Sequence, residues 1–312
     1  MHIRVIYKIV FLWLLLMGLA ALFGNVSVAA TDGGRTAADF LRIGIGARSA
    51  GMGGAYSAVS RGAEASYWNP AGLAGMEGGE IVLGHFSWYQ DLNLEHGSAA
   101  FSLNDRTTLG FSIAYLNYGT VAGYDVNGNP TGDLAAYDWS GALSIGAMVT
   151  DQLSIGVTGK YINQRLDDVM GSAFAADIGV RLETNHFAAA VVARNIGSDM
   201  TFESAREKLP TELSVGIAAA PFTERLLASV EVEKKIYSSP VVRQGIEVNF
   251  NREYFLRAGY DVVTQDNGDG IQAGMSFGAG IHLSQFAVDY AYTIQDKYGS
   301  DDIHRFSLGL HF

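Results

Sequence analysis

From residue 79 onward the chain alternates between apolar and polar positions with a period of two. In "HRFSLGLHF", Phe306, Leu308, Leu310 and Phe312 share one face, and Arg305, Ser307, Gly309 and His311 take the other. "QFAVDYAYTI" sets Phe286, Val288, Tyr290, Tyr292 and Ile294 against Ala287, Asp289, Ala291 and Thr293. In "VRQGIEVNF", Val242, Ile246, Val248 and Phe250 share a face with one polar exception, Gln244. Successive side chains of a strand point to opposite sides, so this period predicts a two-faced sheet. Strands are predicted near 79–90, 93–104, 106–118, 135–149, 152–164, 171–183, 186–196, 211–220, 225–235, 241–250, 253–263, 270–281, 284–294 and 302–312, fourteen in all and mostly ten to thirteen residues long. Soluble strands average about five or six residues, whereas a tilted strand crossing a bilayer needs about 9–11.

The connections alternate as well. Tight turns fall at 104–106, 150–151, 184–185, 222–224, 251–252 and 282–283, and longer links fall between them. Short periplasmic turns opposite longer outer loops are the habit of outer-membrane barrels, and an even strand count brings both ends of the chain to the periplasmic side. The aromatics sort by end. Trp88, Tyr89, Tyr115, Tyr118, Tyr137, Trp139, Tyr161, Tyr260 and Tyr292 lie near the longer loops, and Phe101, Phe187, Phe222, Phe250, Tyr254, Phe286 and Phe312 near the turns. Two belts of amphipathic rings imply two membrane interfaces. The predicted fold is therefore all-β, a 14-stranded antiparallel transmembrane β-barrel over residues 79–312.

The polar face carries charges of both signs: Lys160, Asp177, Arg181, Arg194, Glu231, Glu233, Lys235, Arg243, Glu247, Arg257, Asp261, Asp289 and Arg305. Facing lipid, the basic ones would cost about 2–4 kcal/mol each at the midplane, so they are placed in the lumen, where mixed signs can pair. The rest of the chain fits this picture. Residues 1–30 read as a secretory signal: Arg4 and Lys8 precede the apolar run 9–22, and Ala30 offers a small cleavage position. There is no cysteine, hence no disulfide framework, thiolate metal site or N-terminal lipidated cysteine. The formal net charge of −11 disfavours nucleic acid as a partner.

Between signal and barrel, residues 31–78 include "GIGARSAGMGGAYSAVSRGAEASYWNPAGLAG". A dinucleotide loop needs a preceding strand, G-x-G-x-x-G and a following helix. Here Gly44-Ile45-Gly46 is followed by Gly51, and no Gly-Lys-Ser/Thr is present. The stretch is compact enough to fold inside the lumen, where irregular backbone is tolerated. Asn69 can turn and cap the chain and Pro70 fixes the bend. Gly44, Gly46, Arg48, Gly51, Gly53, Gly54, Trp68, Asn69, Pro70 and Gly72 are the candidate hatch residues.

These residues carry a resemblance. Gly44, Gly46, Ala47, Arg48, Gly51, Met52, Gly53, Gly54 and Ala55, then Tyr67-Trp68-Asn69-Pro70-Ala71-Gly72-Leu73, resemble the N-terminal hatch of FadL-type outer-membrane barrels, most of all the PorV/PorQ branch, over residues 38–76. The C-terminal Phe312 resembles the signal read by the barrel-insertion machinery. Where the family commonly has an acidic pair, this chain has Ser60-Arg61 with Glu64 nearby. The resemblance implies a partner-binding barrel in type IX-like protein secretion or surface attachment, with secreted proteins or secretion-system subunits as partners. As the alternative, it implies passive transport of hydrophobic small molecules such as long-chain fatty acids. A structural barrel without transport is the third reading. Loops such as "YDVNGNPTGD" and "TQDNGDG" are short and polar, which weighs against the fatty-acid alternative.

No enzyme and no cofactor is expected. Asp125, Asn127 and Asn129 begin like a calcium loop, but Pro130 stands at the glycine position and Ala136 at the glutamate position. His304 and His311, seven apart, fall on opposite faces of one strand and cannot share a metal.

Overall fold

The computed structural model describes residues 36–88, 92–203, 205–220, 225–236, 238–264, 271–294 and 303–312. The predicted signal, Tyr89 and Phe222 lie outside them. The strands are β1 (Gly79–Ser87), β2 (Asn93–Asn104), β3 (Thr107–Asn117), β4 (Val121–Tyr124), β5 (Pro130–Leu134), β6 (Ala136–Met148), β7 (Leu153–Leu166), β8 (Val169–Glu183) and β9 (Phe187–Gly197). They continue as β10 (Met200–Phe202), β11 (Ala205–Glu207), β12 (Glu212–Ala219), β13 (Leu226–Lys235), β14 (Val241–Phe250), β15 (Tyr254–Thr264), β16 (Ile271–Leu283), β17 (Phe286–Ile294) and β18 (Ile303–His311). Fourteen of them close an antiparallel barrel in chain order: β8 pairs with β9, β9 with β12, and β18 returns to β1. The short hairpins β4–β5 and β10–β11 lie within predicted loops; β10 hydrogen-bonds back onto β8 at Ser172 and Gly171.

Closure satisfies the backbone of every wall strand, the condition for crossing lipid as β-structure. The outer face is apolar: Leu83, Phe111, Ile113, Leu143, Val157, Phe174, Phe306 and Leu308 are all exposed. So continuous an apolar exterior belongs in hydrocarbon rather than water. No helix among the described residues is long and apolar enough to cross a membrane; the strands do so instead. Near the loop end, ring contacts link Tyr115 to Tyr137, Trp139 to Tyr161, and Tyr161 to Phe174. At the turn end Phe312 packs beside Phe101. Two predicted belt members turn inward instead. Trp88 packs against the buried core, and the Tyr118 hydroxyl donates to Asp138 at 2.8 Å, because both fall on the lumen side of the alternation.

The core lies between the wall and residues 36–78, which run through the barrel. The described chain starts at the loop end, where Ala37 N–H donates to the Lys208 carbonyl at 3.0 Å. It reaches the turn end at Gly79, whose N–H donates to the Phe312 carbonyl at 2.6 Å. The strand-bearing part thus begins and ends on the turn side, as parity predicts, but residue 36 sits at the opposite mouth. Strand counting does not see a segment that threads the lumen.

Candidate functional site

The inner segment is built from four short helical pieces: a 3-10 turn (Asp39–Arg42), α1 (Ala47–Gly51), α2 (Ala65–Trp68) and a second 3-10 turn (Pro70–Leu73). Gly46 takes φ 84°, a left-handed value that favours glycine, and reverses the chain into α1. Asn69 caps the last turn by accepting from Ala71 N–H at 3.0 Å, and its own amide donates to the Ser57 carbonyl at 3.0 Å. Pro70 occupies the first helical position, where a missing N–H costs nothing. Trp68 donates its indole N–H to the Ile45 carbonyl at 3.1 Å, tying the two halves of the segment together.

Glycines of the wall receive this segment. A Cβ on Gly245 would sit 2.5 Å from the Met52 carbonyl oxygen, and Gly259 meets Gly53 just as closely. Gly146, Gly156 and Gly179 take the Asn69–Pro70 corner. On the inner side, Gly51 lies against Gly278, Gly54 against the Arg243 stem, Gly44 against Trp68, and Gly72 against the Ser60 carbonyl. These wall glycines were not singled out in the sequence. Their signal was present nonetheless, since a glycine within a strand marks close backbone approach.

The predicted lumen charges face inward and nearly all pair. Lys160 meets Asp177 at 2.7 Å. Asp177 also accepts the N–H of Asn195 at 2.8 Å, where β9 bulges with a left-handed φ of 57°. Arg194 binds Glu212 and Ser214, meets Glu233 at 3.3 Å, and donates to the Trp68 carbonyl at 2.8 Å. Glu233 is shared with Arg243 and Lys235. Arg48 grips Glu247 with two bonds of 2.7 and 2.8 Å; Arg257 joins Glu247 to Asp289, and His282 completes the chain. Glu231 accepts from the N–H groups of Tyr56 and Ser57 at 3.0 and 2.7 Å. Arg181 donates to the Ala58 carbonyl at 3.0 Å and pairs with Glu183, which also holds Arg61.

Asp261 forms no ion pair among the described residues, and the other exception is Arg305. Its guanidinium lies 4.5 Å over the Phe86 ring, its Nε has no hydrogen-bond partner, and no carboxylate pairs with it among the described residues. It stands beside an apolar region at the loop end of the lumen, formed by Phe86, Leu94, Leu116, Ile162, Met200 and Ile303. Phe40 and Leu41 of the inner segment fill that region. The apolar surface that the sequence showed lacking in the outer loops is therefore inside the barrel.

Among the described residues the wall has no gap: each wall strand is hydrogen-bonded to both of its neighbours. β3 pairs with β2 and β6 along its whole length, with one irregularity at the Ser102/Asn104 turn. The other irregularity is the Asn195 bulge. Asp125 accepts from the Asn127 and Asn129 amides in a tight loop of its own, and no group of three metal-ligating side chains occurs among the described residues.

The fold has solved relatives. The toluene transporter TbuX of Ralstonia pickettii superposes with a TM-score of 0.63 at 15% identity, covering 86% of this chain and 98% of that one. The toluene transporter TodX of P. putida gives 0.61 at 13%, covering 86% and 99%. A FadL homologue of Pseudomonas aeruginosa gives 0.60 at 13%, covering 85% and 98%. These likenesses place the chain in the FadL-type barrel fold; a PorV/PorQ assignment does not follow from them. No curated protein matches the sequence. A family model described as "Uncharacterised protein family (UPF0164)" matches residues 21–312, and the chain belongs to that family.

Proposed function

We propose that this protein resides in the outer membrane and passes amphipathic small molecules, an apolar chain with an acidic head, through a barrel gated by residues 31–78. One observation carries this reading: Arg305, beside the apolar region at the loop end of the lumen, has no acidic partner among the described residues. The half-buried Arg305 guanidinium has no counter-ion among the described residues, and a ligand carboxylate would satisfy it while its chain replaces Phe40 and Leu41. The fold neighbours, two of them toluene transporters and one a FadL homologue, favour transport of hydrophobic compounds over the secretion role that the hatch motif implies. In this reading Gly46, Arg48, Trp68, Asn69 and Pro70 hold the gate shut against the wall. Ligand entry requires the Asp39–Arg42 turn to move aside, because Phe40 and Leu41 occupy the space.

The test is saturable binding of radiolabelled palmitate and of toluene to purified protein, with and without Arg305→Gln. Palmitate is expected to bind, and Arg305→Gln to weaken it about tenfold or more, the worth of one charge-assisted bond. Toluene binding is expected to be unaffected by the substitution. If neither compound binds and the barrel instead retains secreted proteins sharing a C-terminal domain, the secretion reading replaces this one.

A further inference from the structure

A cavity lies on the other side of the inner segment from Arg305. It measures about 310 Å³ and opens toward the turn end, between residues 48–77 and the inner faces of β16, β17, β18 and β1. Its apolar wall is Met76, Val82 and Ala287. Glu64 lines it and is only 8% exposed, yet its carboxyl takes part in no hydrogen bond or ion pair among the described residues. The other charged groups around the cavity are engaged. Arg48 is held by Glu247, and Arg61 by Glu183. Glu80 accepts from Ala63 N–H and meets His311, while Asp289 is held by Arg257 and His282. Glu77 lies at the exposed rim.

We propose that this cavity binds a small organic cation, a primary ammonium on a short apolar chain, with Glu64 as the counter-ion. The Glu64 carboxyl has no donor on the protein and opens onto the cavity, where a ligand can supply one. The cavity is of the size that holds a small ligand. An anionic ligand would find both arginines already committed and would face Glu64, Glu80 and Asp289. Burial, then the negative charge of Asp289 and Glu80, pushes Glu64 up to about 8, so an arriving ammonium displaces its proton. This site does not rest on the transport reading above; it uses other residues and the opposite ligand charge.

The experiment is calorimetric titration of the detergent-solubilised full chain with butylammonium and, separately, with butyrate. Butylammonium is expected to bind saturably and release a proton at pH 7. It should bind several-fold tighter at pH 8.5 than at pH 6.5. Glu64→Gln should weaken it at least tenfold at pH 8.5 and remove the proton release, which separates Glu64 from His282 and His311. Retention of the compact, heat-modifiable form on gels shows that the variant folds. Ala287→Leu, which fills the cavity from the wall and leaves every charge in place, should abolish binding as well. Absence of saturable binding, an unchanged affinity in Glu64→Gln, or butyrate binding as well as butylammonium would each overturn the assignment.

Discussion

Gly245→Ala adds one methyl group to the inner face of β14, and the response decides how the inner segment is held. The new Cβ would lie 2.5 Å from the Met52 carbonyl oxygen and 2.8 Å from the Met52 Cβ. Carbon contacts relax at about 3.5–4.0 Å, so Met52 must retreat by roughly 1 Å. Met52 is fully buried, and four and five residues on, Tyr56 and Ser57 donate to Glu231. Overpacking of this kind costs about 1–3 kcal/mol, which raises the undocked fraction of the segment roughly 5- to 150-fold. Glycine to alanine within a strand is otherwise stabilising by about 0.5–1 kcal/mol, so the barrel itself should not weaken. The assay is hydrogen exchange at the Tyr56 and Ser57 amides. Protection should fall in Gly245→Ala and stay unchanged in Gly159→Ala, whose Cβ meets nothing within 4 Å on the outer face. Equal protection in both variants would refute the view that wall glycines seat the segment.

Other outcomes follow from the same geometry. Arg194→Gln leaves Glu212 without its ion-pair partner in the lumen and frees the Trp68 carbonyl, while Glu233 keeps Arg243 and Lys235; it should cost about 3–5 kcal/mol, read as a lower denaturant midpoint. Leu143→Lys puts a charge on the lipid face and should cost about 2–4 kcal/mol in bilayers, while the same change at the exposed loop residue Val126 should cost nothing measurable. Glu64 holds its proton to about 8 when the segment is docked and to 4.5 when it is free. Docking is therefore favoured at low pH and weakens through this window by about 1.4 kcal/mol per unit, levelling off above it; exchange protection of the Ala63–Ser66 amides should follow that slope in wild type and lose it in Glu64→Gln. Purified protein in planar bilayers should show no steady large conductance, because residues 36–78 fill the lumen.

The strand pattern was legible because lipid and lumen impose opposite demands on alternate residues. β14 was predicted at 241–250 and is observed there; the others agree within a few residues. The short hairpins β4–β5 and β10–β11 were not foreseen, since strands paired beyond the bilayer carry no two-sided constraint. Trp88 and Tyr118 were sorted by position along the strand, which reports depth, whereas the alternation reports face, and it places both inside.

The sequence by itself determined the closed, two-faced wall, its strand count, and the inward placement of Lys160, Asp177, Arg194 and their neighbours, because a period-two pattern is local and each residue answers only to its own side of the sheet. Only the tertiary structure decided which charges pair, that Arg305 and Glu64 find no partner among the described residues, and that Phe40 and Leu41 occupy the apolar end of the lumen. Those outcomes depend on where a threaded segment meets the wall, and contacts between residues far apart in the chain leave no periodic trace in it.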